Sequence, residues 1–132
     1  GLSWTNAMDS ALSELHAQGS TRADITQALH RTPVLPGALA AVEVARAHCA
    51  ELRILSDANS VYIETILEKL GLQDAFTSIT TNPASFDNTG RLHVQPHQAP
   101  AQPHGCSRCP ANLCKGAIME RWQREFVGRC IY

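Results

Sequence analysis

Two short segments concentrate the residues able to do chemistry. The first, Leu52-Arg53-Ile54-Leu55-Ser56-Asp57-Ala58-Asn59, runs a short apolar strand into a polar tetrapeptide ahead of a helix expected from Val61 to Leu70. In an open α/β sheet, ligands bind beyond the carboxyl ends of strands, where backbone N–H groups and a helix N-terminus favour an anion. Ser56-Asp57-Ala58-Asn59 is therefore placed to meet a phosphate. The second segment, His104-Gly105-Cys106-Ser107-Arg108-Cys109-Pro110-Ala111-Asn112-Leu113-Cys114-Lys115, sets thiols, an imidazole and an ammonium just before an amphipathic helix. Lys115 would lie in that helix's first turn, where a cation is slightly unfavourable and a compensating anion is expected nearby.

The thiols admit three readings. His104, Cys106, Cys109 and Cys114 supply enough soft or borderline ligands for a closed zinc site that could pin the loop, although the usual zinc signature has two separated ligand pairs. The same cysteines could be reduced thiols packed near Lys115. They could also form a redox disulfide, although the Cys-x-x-Cys lacks the strand that precedes it in thioredoxin-like motifs. His93 and His97 have a spacing that suits a metal only on a helix, which Pro96 and the local strand pattern oppose. Cys49, on an apolar helix, reads as core packing.

The elements that must hold these segments can be traced from periodicity. Trp4, Met8, Leu12 and Leu15 recur at helical spacing, with Gly19 as the stop. Ser20 or Thr21 can cap a second, short helix carrying Ile25, Ala28 and Leu29, with Asp24 near its positive end. Pro36 suits the first turn of a third helix before a strand at Glu51 to Leu55. After a helix ending at Leu70-Gly71, a strand is expected at Phe76 to Thr81, stopped by Asn82-Pro83. Asp87-Asn88-Thr89-Gly90 reads as a hairpin tip with its return strand at Arg91 to Gln95. Pro96, Pro100, Pro103 and Pro110 make the next stretch a loop. A helix from Lys115 to about Phe126 should set Ile118, Met119, Trp122 and Phe126 on one side, and Arg129 to Tyr132 reads as a further strand. Periodicity gives an α/β, partly parallel fold.

Bulk properties narrow the class. The 132 residues are 44% hydrophobic, enough for one small core. A net charge of −1 offers no general attraction to nucleic acid or an anionic membrane. No apolar run approaches the roughly 18–20 residues of a membrane span, and the first thirty residues do not resemble a signal peptide. Five cysteines, an odd number, fit poorly with a secreted disulfide framework. A cytoplasmic protein is the expectation.

Together the two segments resemble the phosphoethanolamine/phosphocholine phosphatase family of the haloacid dehalogenase superfamily, including plant relatives assigned to pyrophosphate or thiamine phosphate. The resemblance covers nearly the whole chain. It implies a Rossmann-like haloacid dehalogenase core, here incomplete, with a β-hairpin and a small helical cap: residues 1–35 as the cap segment and 36–132 as the partial core. It also implies a magnesium-dependent phosphatase in which an aspartate attacks phosphorus and forms an aspartyl-phosphate. The substrate would be a small phosphorylated compound: phosphoethanolamine, phosphocholine, pyrophosphate, pyridoxal phosphate or thiamine phosphate.

By that resemblance Ser56 donates its hydroxyl to a phosphoryl oxygen, and Lys115 neutralises the phosphate and the attacking carboxylate. Asp57 matches a position tied to substrate selection, and Asn59 could orient the phosphate. The residues alone allow plainer roles: helix caps for Ser56 and Asn59, a solvated turn for Asp57, an exposed surface cation for Lys115. The family's Asp-x-Asp and Asp-Gly-x-x-Asp motifs are absent, since Asp9, Asp24, Asp57, Asp74 and Asp87 include no such pair. Both ends therefore read as cut, the magnesium ligands are expected outside the chain, and the chain alone is expected to be inactive. Where the family commonly reads Pro-Tyr-His-Asp, this chain has Pro96-His97-Gln98-Ala99. The competing expectation is a noncatalytic, zinc-stabilised interaction module.

Overall fold

The computed structural model describes residues 3–48 and 50–132; the core position expected for Cys49 lies outside the described residues. Three helices come first: α1 (Trp4–Ala17), α2 (Arg22–Arg31) and α3 (Pro36–Ala47). Next come β1 (Arg53–Asn59), α4 (Ser60–Leu70), a 3-10 turn (Gln73–Ala75) and β2 (Ser78–Asn82). The hairpin strands β3 (Ala84–Phe86) and β4 (Leu92–Val94) precede α5 (Lys115–Glu125). β1 and β2 pair in parallel and β3 and β4 antiparallel, so the chain is α/β with α4 as the crossover of a β-α-β unit.

Local chemistry fixes the helix ends. The Ser3 hydroxyl accepts from the Asn6 N–H to open α1. Gly19, at φ 93°, closes it as Ser20 N–H reaches back to Leu15 O and Gly19 N–H to His16 O. Thr21 and Asp24 form a reciprocal capping box at the start of α2. Pro36 stands in the first turn of α3, where its missing N–H costs nothing.

Leu12 of α1 packs with Leu92 and Val94 of β4, and Ile25, Val61, Tyr62, Ala84 and Phe86 close around them. This cluster joins residues on both sides of the boundary expected near residue 35. Asp9 adds a polar clamp: it accepts from the Val94 N–H (2.9 Å) and pairs with Arg91 (2.8 Å). Of the expected α1 stripe only Leu12, which packs on the three-residue β4, is fully buried, and Trp4 remains 63% exposed. At the other end, Arg53 lies 5.1 Å from the ring centroids of Trp122 and Phe126 and 2.6 Å from Glu51, docking α5 beside β1.

Two expectations about strands are corrected. β1 does not stop at Leu55: it continues to Asn59, but irregularly. Leu55 pairs with Thr80 and Asn59 with Asn82, so β1 advances four residues while β2 advances two, and Ser56-Asp57-Ala58 bulge from the ladder. The bulge holds because the Asn82 amide donates to the carbonyls of Asp57 (2.8 Å) and Ala58 (2.9 Å), replacing the missing ladder bonds. Arg129 to Tyr132 is not a strand. No described strand offers it ladder bonds, and Ile131 is 92% exposed.

Candidate functional site

The β1 bulge and the N-terminus of α5 meet at an ion pair, with Lys115 Nζ 2.9 Å from Asp57 Oδ2. Both side chains are part-exposed. The carboxylate beside it raises the Lys115 pKa, so the ammonium stays charged throughout the neutral range. This is the compensating anion that a cation in a first helical turn requires, and it comes from across the fold.

Ser56 accepts from the Ala58 N–H through its oxygen (3.1 Å), which leaves its hydroxyl proton free to donate. Asn59 is buried, and its side-chain carbonyl accepts from the Tyr62 N–H (3.0 Å), so it caps α4. A cavity of about 170 Å³ adjoins the bulge, lined by Trp4, Met8, Asp57, Asn59, Tyr62 and Val94 among others. Thr5 also lines it, and its buried hydroxyl has no hydrogen-bond partner. The arrangement offers one protonated cation, one hydroxyl donor and a carboxylate beside a largely apolar recess.

Asn82, expected only to end a strand, is the hub. It is 1% exposed; besides its two donated bonds, its carbonyl accepts from His97 N–H (3.1 Å) and from the Asn112 amide (3.3 Å). One side chain thus ties the β1 bulge to both ends of the proline-rich loop. The signal available in sequence was weak, because Asn before Pro is a common turn element.

The thiols converge without His104. The sulfurs of Cys106, Cys109 and Cys114 lie within 4.8 Å of one another. His104 Nε2–H donates to Pro110 O (2.9 Å) and its Nδ1 accepts from Cys106 N–H (3.1 Å), so neither ring nitrogen has a lone pair left for a metal. In this structure His104 thus stands outside the convergent thiol trio. Hydrogen bonds from the backbone N–H groups of Arg108 and Cys109 and from the neighbouring thiols bring the Cys106 pKa down to about 7. The same network pushes Cys109 up to about 11. His93 pairs with Asp87 (2.7 Å), and His97 Nδ1–H donates to Thr81 O (3.1 Å).

Among the described residues, the thiol trio is the only convergent group of His, Cys, Asp or Glu able to hold a metal. Magnesium takes oxygen ligands, so these residues do not fit it. No described helix is long and apolar enough to cross a membrane.

The family described as "Putative Phosphatase" matches residues 2–131. An Arabidopsis thaliana protein named inorganic pyrophosphatase 2 is 46% identical over 94% of this chain and 45% of its own length. A thiamine phosphate phosphatase-like protein of the same plant is 41% identical over 90% of this chain and 49% of its own. A pyridoxal phosphate phosphatase of Bos taurus is 35% identical over 95% and 49%. The chain thus spans about half the length of these curated relatives. No solved structure matches it.

Proposed function

Since this chain belongs to the phosphatase family matched over residues 2–131, we propose that the whole protein hydrolyses a small phosphate compound and that these residues supply part of its phosphate site. The observation that carries the reading is the Asp57–Lys115 pair at the bulged end of β1, where an α/β sheet binds anions. Lys115, held protonated, would neutralise the phosphoryl oxygens as charge shifts during transfer. The free Ser56 proton would donate to one of those oxygens. When Lys115 turns to the phosphate, the Asp57 carboxylate is released and can pair with an amine or quaternary ammonium on the substrate.

The nucleophilic carboxylate and the ligands of magnesium would come from sequence beyond these 132 residues, which contain no Asp-x-Asp. These residues alone should therefore release no phosphate. Candidate substrates remain phosphoethanolamine, phosphocholine, pyrophosphate, pyridoxal phosphate and thiamine phosphate, and a cytoplasmic setting suits all of them. The apolar cavity lining of Trp4, Met8, Tyr62 and Val94 favours a substrate with an organic group over a bare inorganic one.

In the full-length protein, Lys115→Ala should lower kcat/KM for phosphate release by about 100-fold or more, as loss of an electrostatic donor does. A phosphate-release assay across the five substrates tests this, and turnover near that of the wild type would remove Lys115 from the site. A protein that releases phosphate from none of the five would favour the noncatalytic reading, which the thiol trio also suits.

A further inference from the structure

We propose that Cys106, Cys109 and Cys114 form a site for a soft divalent metal ion of the zinc type, bound by three thiolates with a fourth position open to water or a small added ligand. Their sulfurs already lie within 4.8 Å of one another, with Cys114 buried and the other two half-buried. Tetrahedral zinc with bonds of about 2.3 Å needs sulfurs about 3.8 Å apart, so a contraction of about 1 Å in a loop closes the set.

Ala117 N–H, in the first turn of α5, donates to the Cys114 sulfur (3.5 Å). Such a donor acts as the outer support of a thiolate–metal site. Each thiol that still carries a proton loses it to buffer as the metal binds. Sulfur selects zinc-like ions over magnesium or calcium.

Between the ends that Asn82 holds, the loop carries little regular backbone bonding. From Gln95 to Cys114 there is no helix or strand, and its backbone bonds include few beyond Gln98 N–H to Asn112 O and Gln102 N–H to Ala99 O. A metal joining Cys106 and Cys109 to Cys114 would fasten the loop to the start of α5, one residue before Lys115. The site stands apart from the phosphatase reading, because metal binding requires no turnover.

The test is a cobalt titration of the full chain, prepared reduced and free of metal. About one cobalt per chain should bind, giving a thiolate-to-cobalt charge-transfer band and the intense visible bands of a tetrahedral site, all erased by added zinc. Cys109→Ser should weaken binding by more than about 100-fold, beyond the loss caused by an outer-support change. Cys130→Ser, at an exposed cysteine outside the trio, should bind like wild type. If Cys109→Ser does not fold, Cys106→Ser serves in its place. Absence of the charge-transfer band from reduced wild type overturns the proposal, as does a band equally strong in the folded serine variant. A disulfide among the three found in freshly isolated protein, with no cobalt uptake after reduction, overturns it in favour of a redox pair.

Discussion

Residues 56–59 and residues 96–114 both lead to the Asp57–Lys115 pair, and they are held by different means. The first segment is held through its own main chain: a bulge in a parallel ladder whose two carbonyls accept from the buried Asn82 side chain, running into α4, which the Asn59 side chain caps. The second has no ladder and relies on side chains: the thiol trio, both ring nitrogens of His104, and the Asn112 amide on Asn82. A backbone-built segment tolerates most surface substitutions. A side-chain-built segment can be undone by one chemical modification.

The sharpest way to break this contrast is Asn82→Ala, since Asn82 serves both segments. It leaves the part-buried carbonyls of Asp57 and Ala58 without their donor and removes an acceptor from the loop, so a loss of about 2 kcal/mol is expected in chemical denaturation. A loss below about 1 kcal/mol would mean that water or relaxed backbone replaces the staple. Alkylation tests the loop alone. In reduced, metal-free protein, Cys106 should react with iodoacetamide more than about tenfold faster than Cys109 at pH 7, because its thiolate is the one stabilised. Its rate should rise with pH to a midpoint near about 7. Peptide mapping that finds the two cysteines equally labelled would dissolve the network. The smallest effect is expected at the strand side, where Asn59→Ala should cost about 1 kcal/mol through loss of the α4 cap. Thermal melting checks it, and an unchanged midpoint would return Asn59 to the ligand-facing role.

Most elements were legible because their signals are local. The α2 capping box, the glycine stop after α1, the Asp87–Gly90 tip and the Lys115 start of α5 each depend on residues a few positions apart. What stayed hidden depends on distant partners. Nothing near Asp57 announces Lys115, nothing near Asn82 announces Asn112, and the Asp9 clamp on Arg91 spans most of the chain. Cys106, Cys109 and Cys114 were visible as a group, whereas the diversion of His104 to Pro110 and Cys106 depends on the loop's path. The strand expected at Arg129 to Tyr132 failed for the same reason, since β-pattern alone does not supply a neighbour to pair with.

Under the proposed function, the 2.9 Å contact between Lys115 and Asp57 would make the resting site an ion exchanger with its counterion built in. An incoming anion has to displace a tethered carboxylate instead of entering an open positive well. Weakly charged competitors such as chloride or bicarbonate gain too little from Lys115 to offset that displacement, whereas a doubly charged phosphoryl group gains more. Selectivity by charge density would thus be set before any contact with the rest of the proposed substrate, and salt at cellular concentrations should inhibit little.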